Sequence, residues 1–265
     1  MPTYPSGRKG LSFVRQICYR EAMARAIVVT GGAGGIGSFI CRGLAADGLQ
    51  VIIADFATEA ARSLTEEIRK SGAAATAVHV DVGDKASVER MMREILDNYQ
   101  QIEFLINGAG VMSRIPVQDL PEEEWDRVLR INLKGTFLCS QALGRHMVQK
   151  KAGRFINIAS GRGVAGQARA AHYAASKAGV IAFTKSLAME LAPYNVTVNA
   201  IAPGATDTPM SRAGSTEEDW KKREAVPPLM GGLTQKDEIV GLIRYLLSEP
   251  ARYLTGQTFL LRTPT

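Results

Sequence analysis

The sequence has few cysteines and no long apolar run. Cys18, Cys41 and Cys139 lie far apart and form no CxxC pair. This spacing argues against a disulfide framework and a metal site, and it is typical of a reducing compartment. No apolar stretch approaches the roughly 18 residues that cross a bilayer. We therefore expect a cytoplasmic protein with no metal and no membrane partner.

An excess of positive charge is present, but it is unevenly distributed. The formal charge is +6, and half of this excess precedes Met23. The rest of the chain mixes acidic and basic residues, and no basic patch comes with a recognition motif. We therefore expect no nucleic-acid partner.

The first 22 residues differ from the rest of the chain. They contain no apolar core long enough for a signal peptide and no cleavage site behind one. We predict a disordered leader at 1–22 and a single domain at 23–265, a length that suits one large α/β domain.

Short β-branched runs alternate with longer amphipathic segments after the leader. Several of the runs are continuously apolar, as in buried parallel strands. The alternation predicts a single-domain, Rossmann-type, doubly wound parallel sheet of about seven strands with helices on both faces. A long polar, proline-containing segment at 206–232 interrupts it and is a candidate lid. The predicted strands are 26–30, 51–54, 76–80, 103–107, 154–158, 196–201 and 258–261, and the predicted helices are 36–47, 58–71, 85–99, 122–147, 170–191 and 236–248.

A glycine-rich turn follows the first predicted strand and leads into a helix. The sequence from Thr30 to Gly37 is TGGAGGIG, which satisfies both GxGxxG and TGxxxGxG. Glycine lets a backbone approach a pyrophosphate, and the helix N-terminus offers N–H groups to it. The turn predicts dinucleotide binding by Gly31, Gly34, Gly35, Ile36 and Gly37.

The second predicted strand ends at an acidic residue, Asp55, 18 positions after Gly37. A carboxylate at this position can accept hydrogen bonds from both ribose hydroxyls, and it repels a 2′-phosphate. No basic residue lies in the glycine turn or directly after Asp55. This pattern favours NAD(H) over NADP(H).

Tyr173 and Lys177 are four residues apart in a predicted helix, so they share one face. A neighbouring cation stabilises a phenolate, and we expect it to lower the pKa of Tyr173 into the range of a useful acid or base. Ser160 ends a strand at the sheet edge where ligands bind, and its hydroxyl can hold a substrate oxygen. His172 is expected to line the pocket or face solvent, because neighbours on a helix point in different directions.

The order and spacing of these motifs resemble the short-chain dehydrogenase/reductase family. The resemblance covers about 25–261 and includes the glycine turn, Tyr173 with Lys177, and five further positions, which are Asn107, Ala109, Asn132, Ser160 and the pair Pro203-Gly204. It implies a seven-stranded Rossmann-type sheet, usually in a homotetramer or homodimer that packs the two longest helices against their symmetry mates.

The resemblance also implies roles for individual residues. Tyr173 is the acid/base, Lys177 tunes its pKa and contacts the ribose, Ser160 binds the substrate oxygen, and Asn132 holds a water on the proton path. Cofactor contacts are implied for Asp81 and Val82 at the adenine, Asn107 and Ala109 at the ribose, and Pro203, Gly204, Thr206 and Thr208 at the carboxamide.

Two positions depart from the family pattern. Gly108 stands where a second asparagine is common, and Arg262-Thr263-Pro264 replaces the usual Asp-Gly-Gly after the last strand. The second departure makes assembly and substrate entry harder to infer.

Three functional hypotheses follow. The first is an NAD(H)-dependent enzyme that interconverts a secondary alcohol or diol with its ketone, with Tyr173 as the acid/base. The alternative is an NADPH-dependent 3-oxoacyl-thioester reductase, which resembles the chain in overall pattern. A protein that senses NAD without turnover is disfavoured by the intact Asn132, Ser160, Tyr173 and Lys177 set. Arg114, Arg162 and Arg169 are expected near the rim of the site, where they could attract a carboxylate or phosphate.

Overall fold

A seven-stranded parallel sheet forms the centre of the protein. A computed structural model describes residues 25–99, 101–213, 215–227 and 232–261, so the predicted leader and the unusual 262–264 tail lie outside the described residues. The strand order is β3-β2-β1-β4-β5-β6-β7, and every pairing is parallel. The strands are β1 Ala26–Thr30, β2 Gln50–Asp55, β3 Ala75–His79, β4 Ile102–Asn107, β5 Gly153–Ile158, β6 Val196–Pro203 and β7 Thr258–Leu261.

Helices cover both faces of this sheet, which confirms the predicted fold class. They are α1 Gly35–Ala46, α2 Thr58–Lys70, α3 Lys85–Asn98, α4 Glu122–Leu129, α5 Gly135–Lys150, α6 Arg162–Ala165, α7 Ala171–Leu191, α8 Pro209–Arg212, α9 Glu217–Glu224 and α10 Lys236–Leu247. Short 3₁₀ turns occur at Val117–Asp119, Ala192–Tyr194 and Glu249–Ala251.

The two faces of the sheet carry separate apolar cores. Successive side chains of a strand point to opposite faces, so Val28 of β1 packs with α3, α5 and α7, whereas Val29 packs with α1, α2 and α10. β1 is fully buried on both sides, which explains its uninterrupted apolar sequence. This arrangement fixes the carboxyl ends of β1 and β4 side by side at the point where the strand order reverses.

One predicted helix is interrupted. The segment predicted as a single helix at 122–147 consists of α4, a π-helical turn at Arg130–Lys134, and α5. A π-turn inserts one extra residue into a helix and is frequent at functional sites. The predicted helical stretch is therefore present, but its α-helical hydrogen-bond pattern changes to a π pattern around Asn132, where a site residue was expected.

Membrane-spanning helices are not found in the described part of the chain, where no helix combines the necessary length and apolarity. Over the same residues, no cluster of three or more His, Cys, Asp or Glu side chains has the geometry of a metal site.

Candidate active site

A groove of about 930 Å³ runs along the carboxyl ends of the strands. This volume is at the upper end of the range for small-molecule sites, so a cofactor and a substrate can share it. One end is lined by the glycine turn and Asp55, and the other by Ser160, Tyr173 and Lys177. The position is the topological switch point at which doubly wound sheets bind ligands.

The glycine turn between β1 and α1 is folded tightly. The Gly34 N–H donates to the Gly31 carbonyl at 3.1 Å, and Gly31 has φ +65°. A Cβ on Gly37 would collide with the Gly31 carbonyl, so glycine is required there. No side chain caps the N-terminus of α1 and no acidic residue occupies its first turn, which leaves an end suited to a pyrophosphate.

Two carboxylates, Asp55 and Asp81, line the groove at the end formed by the glycine turn. Asp55 accepts hydrogen bonds from the Ala33 N–H and the Ala57 N–H, both at 2.9 Å, so its position is fixed by two loops. Asp81 accepts from the Gly83 N–H at 2.8 Å and pairs with Arg130 at 3.3 Å. Ile36, Val82 and Ala109 also line the groove.

Ser160, Tyr173 and Lys177 come together at the other end. Ser160 follows β5, and its hydroxyl accepts from the Arg162 N–H at 3.2 Å. The Lys177 Nζ lies 5.9 Å from the centroid of the Tyr173 ring and donates to the Ile158 carbonyl at 2.7 Å. Lys177 is buried and Tyr173 is half-buried, so the phenol and the ammonium act in an environment with little water.

The pKa of Tyr173 differs from the sequence-based expectation. Burial raises it, while the hydrogen-bonding interaction with Ser160 and the positive charge of Arg162 partly oppose the increase. Burial also lowers the pKa of Lys177 to about 8. We expected Lys177 to lower the pKa of Tyr173. Instead the Lys177 ammonium is directed at a backbone carbonyl, and at the phenol the effect of desolvation exceeds that of charge.

Asn132 is held inside the π-turn, away from the groove surface. Its Oδ1 accepts from the Val111 N–H at 2.8 Å, and its Nδ2 donates to the Val111 carbonyl and to the Ser176 hydroxyl at 3.0 Å. Ser176 in turn donates to the Tyr173 carbonyl at 2.7 Å. A Cβ on Gly110 would lie 3.3 Å from Asn132 Oδ1 and 3.4 Å from Lys177 Nζ, so these two groups flank the same small space. The Asn132 amide therefore ties the loop after β4 to the catalytic helix α7.

Asn107, like Asn132, does not line the groove. Its side chain is buried and its Nδ2 donates to Ser140 at 2.9 Å and to Asn157 at 2.8 Å. Next to it, the Gly108 N–H donates to the Thr30 carbonyl at 3.1 Å, and a Cβ on Gly108 would come within 2.9 Å of that carbonyl. The Asn107 side chain thus joins β4 to β5 and α5 rather than lining the cofactor groove.

The segment after β6 lies against the glycine turn. Pro203, Gly204, Thr206 and Thr208 all line the groove. The Thr208 hydroxyl caps α8 by accepting from the Ser211 N–H at 3.2 Å. A Cβ on Gly35 would lie 2.8 Å from Thr208, so the two loops approach each other closely.

Several groups at the site had not been predicted. His172 is fully buried and hydrogen-bonded to Ser113 at 2.7 Å, so the expectation of a pocket or surface position was wrong. Met112, Met210 and Arg223 line the groove as well. Met210 and Arg223 lie within the candidate lid at 206–232, so the segment was expected near the site, but no local sequence signal distinguishes these side chains or Met112 from their neighbours.

These features fit a nicotinamide dinucleotide. The glycine cradle and the uncapped end of α1 suit a pyrophosphate, and Asp55 suits a ribose diol. Ser160, Tyr173 and Lys177, which are expected to handle the proton, line the other end of the same groove. Fold and site together define a Rossmann-type oxidoreductase.

Comparisons with known proteins agree with this class. The profile of the family described as short chain dehydrogenase matches residues 25–219. A 3-oxoacyl-[acyl-carrier-protein] reductase from Synechocystis sp. is 39% identical over 239 residues, 89% of this chain and 94% of that protein. An NAD-dependent glycerol dehydrogenase from Listeria innocua is 35% identical over 88% of this chain and 91% of its own length. Among solved structures, an actinorhodin polyketide ketoreductase variant with NADPH has a TM-score of 0.85 at 32% identity, covering 91% of this chain and 96% of its own.

The chain therefore belongs to the short-chain dehydrogenase/reductase family, and it is an oxidoreductase of the kind that uses a nicotinamide cofactor.

Proposed function

We propose that this protein reduces a ketone to a secondary alcohol, reversibly, with NADH as the preferred hydride donor and a 3-oxoacyl thioester as the first substrate class to test. The observation that carries the proposal is the grouping of Ser160, Tyr173 and Lys177 at one end of a groove whose other end has the Asp55 carboxylate. Several relatives are named 3-oxoacyl-[acyl-carrier-protein] reductases, which supports the thioester class over the simple alcohol or diol first expected from the sequence.

The proton chemistry follows from the three side chains. The bound nicotinamide supplies or accepts the hydride. Ser160 is positioned to donate a hydrogen bond to the substrate carbonyl oxygen, and Tyr173 is positioned to give that oxygen its proton during reduction. The buried Lys177 ammonium stabilises the phenolate that remains. In the direction of alcohol oxidation, Tyr173 accepts the proton.

Proton return to Tyr173 is proposed to pass through Lys177. The Lys177 ammonium and the Asn132 amide flank the space beside Gly110. The Asn132 Nδ2 uses both of its hydrogens, on the Val111 carbonyl and the Ser176 hydroxyl, and its Oδ1 accepts one hydrogen bond from the Val111 N–H. Asn132 therefore has no N–H left to donate to a water on this path, and it also holds the π-turn in place.

The cofactor preference rests on Asp55. The relatives point both ways, because one name specifies NAD and one structure contains NADPH. Asp55 is held by two backbone N–H groups in an orientation that leaves its charge beside the adenosine end of the groove. The described residues that line this end next to Asp55, namely Ala33, Phe56, Ala57 and Ala60, include no basic side chain to offset it. A 2′-phosphate would meet uncompensated repulsion there.

The test is the substitution Tyr173→Phe. It removes the proton donor and keeps the ring, so we expect kcat to fall by about 100-fold or more, the usual range for a lost general acid, while the binding of NADH changes little. The measurement is NADH oxidation with acetoacetyl-thioester and with simple ketones, together with NADH titration by fluorescence. Unchanged turnover of every accepted substrate in Tyr173→Phe would contradict the mechanism. As a control, Tyr253→Phe alters an exposed tyrosine remote from the groove and should leave kcat unchanged.

A further inference from the structure

Arginines from separate segments converge on the substrate end of the groove. Arg114 follows β4, Arg162 opens α6 two residues after Ser160, and Arg223 belongs to α9; all three line the groove. Arg169 is an exposed residue on the adjoining loop, outside the groove lining, and its carbonyl accepts from the Ile115 N–H at 2.7 Å. The loops that contain Arg114 and Arg169 are therefore in direct contact.

The other three positive charges act on Arg114. Burial and then the charges of Arg223, Arg162 and Arg169 lower the pKa of the Arg114 guanidinium, and the negative charge of Asp219 partly opposes this lowering. The charge of Arg162 also acts on the Tyr173 phenol. The arginines are thus close to each other and to the atom that transfers the proton.

Three of the four arginines differ from their neighbours in their ion pairs. Arg127 pairs with Glu124 at 2.6 Å, and Arg130 pairs with Asp81. By contrast, no carboxylate among residues 25–99, 101–213, 215–227 and 232–261 lies within 4.0 Å of Arg162, Arg169 or Arg223. Of the acidic side chains in the segment from β6 to α9, Asp207 and Glu217 pair with Arg212, and Glu218 pairs with Lys222. The Asp219 carboxylate accepts from the Thr216 N–H at the start of α9, and its charge also acts on Arg114 and Arg223.

The backbone at Arg169 adds an independent observation. This residue has φ +62°, in the left-handed region that non-glycine residues seldom occupy. Such conformations persist where surrounding contacts enforce them, and they are concentrated at functional sites. The strained turn directs the chain from the Arg162 segment back to the start of α7, so that Arg169 and Tyr173 belong to the same short stretch.

We propose that the substrate has an anionic group, a carboxylate or a phosphate, that binds to Arg162 and Arg169 beside the reacting carbonyl, within the positive field of Arg114 and Arg223. The inference rests on the ketone reduction proposed above and narrows its substrate class. Guanidinium groups form paired, charge-assisted hydrogen bonds with both kinds of anion. The anion would come from a free 3-oxo acid or from the phosphopantetheine arm of a thioester.

Four compounds separate these sources. Acetoacetate has a carboxylate, ethyl acetoacetate is its neutral ester, acetoacetyl-CoA has phosphates, and S-acetoacetyl-N-acetylcysteamine is a thioester without them. The kcat and KM for each are measured with NADH at constant ionic strength, in the wild type and in the double variant Arg162→Gln/Arg169→Gln. The matched control is Arg93→Gln, which alters an exposed arginine on α3 away from the groove.

Acetoacetate and its ethyl ester form one pair, and acetoacetyl-CoA and S-acetoacetyl-N-acetylcysteamine form the other. The double variant is expected to lose about tenfold or more in kcat/KM for the anionic member of one pair, chiefly because KM rises, as expected for the loss of a charge-assisted hydrogen bond. Because the loss of the Arg162 charge can also act on Tyr173, the neutral partner measures that common effect. The test is therefore the ratio of the kcat/KM values within each pair, and this ratio should stay at the wild-type value in Arg93→Gln. A loss confined to acetoacetate identifies a carboxylate, and a loss confined to acetoacetyl-CoA identifies a phosphate. Equal losses for charged and neutral members of both pairs would overturn the inference while leaving the ketone reduction intact.

If the wild type reduces none of the four compounds, that result counts against the proposed function and leaves the anion site to a binding measurement. Malonate and neutral malonamide are compared for their effect on the Tm of the wild type. Malonate should raise the Tm of the wild type and of Arg93→Gln, malonamide should not, and the double variant should lose the effect. The charge-retaining Arg162→Lys/Arg169→Lys should keep part of it, which guards against a folding defect. No malonate effect in the wild type, or an equal effect in the double variant, would refute the anion site.

Discussion

Lys177 holds a positive charge where little water can reach it. Its side chain is buried, and the Ile158 carbonyl is its hydrogen-bond acceptor at 2.7 Å. Desolvation disfavours the ammonium, and this lowers the pKa of Lys177 to about 8. The residue that stabilises the Tyr173 phenolate in the proposed mechanism therefore destabilises the folded chain, which is the usual conflict between stability and activity at a catalytic site.

This conflict predicts a pH effect on stability. Below pH 8 Lys177 is charged in the folded protein, and the full cost of its desolvation is present. Above the ordinary pKa of 10.5 this cost disappears, because Lys177 loses its proton in both the folded and the unfolded state. Between these limits the free energy of unfolding of the wild type should rise relative to that of Lys177→Met by up to about 3 kcal/mol. Urea unfolding of both proteins across this range measures the difference. The exposed Lys70→Met is the control, and a flat difference for Lys177→Met would contradict the explanation.

Asp55 gives a second prediction for a single residue. Two negative charges about 4 Å apart repel by a few kcal/mol at the effective dielectric of a protein surface, so kcat/KM with NADH should exceed that with NADPH by about tenfold or more. Asp55→Asn removes the charge and should narrow the ratio, mainly through the KM for NADPH. Steady-state kinetics with both cofactors, beside circular dichroism spectra that verify folding, test this. A wild type that prefers NADPH would show that repulsion by Asp55 does not decide the choice.

At the scale of elements, the strands were predictable because they are buried on both faces of the sheet. A parallel strand covered on both faces needs apolar residues throughout, and all seven predicted strands occur within about two residues of their predicted ends. The helix predicted at 122–147 was less predictable. Arg130-Ile131-Asn132-Leu133-Lys134 has an ordinary helical composition, and the π-turn depends on contacts that Asn132 makes with Val111 and Ser176, distant in sequence.

The same distinction applies to the site. The glycine turn, Asp55, Ser160, Tyr173 and Lys177 were found from local motifs, and all of them line the groove. Periodicity and spacing say nothing about the direction of a buried side chain, so the inward turn of Asn107 and the contact between His172 and Ser113 had no sequence signal. The direction of the Tyr173 pKa was likewise beyond the sequence, because burial, Ser160 and Arg162 jointly determine it.

At the scale of the whole molecule, one surface remains apolar in the single chain. The two longest helices are α5 and α7. On α7, Ala175, Ala178, Ala182 and Met189 are exposed at helical spacing, with the exposed Lys185 and Ser186 between the last two. Phe137 of α5 is 40% exposed and contacts Phe183 of α7 edge to face. A row of small side chains beside aromatic ones suits close packing of one helix against another.

We therefore keep the prediction of a homodimer or homotetramer, with α5 and α7 at the contact, and Ala182→Glu tests it. A two-fold contact uses the same surface patch on both subunits, so the substitution introduces two desolvated negative charges at one interface. Light scattering after size exclusion should give two or four times the mass of one chain for the wild type and a smaller assembly for Ala182→Glu. Val117→Glu, at a side chain 65% exposed on a 3₁₀ turn, is the matched control and should assemble as the wild type does. A charge on an open surface costs almost nothing, so an Ala182→Glu protein that keeps its full assembly would show that the contact lies on some other face. A monomeric wild type would contradict the prediction of an oligomer.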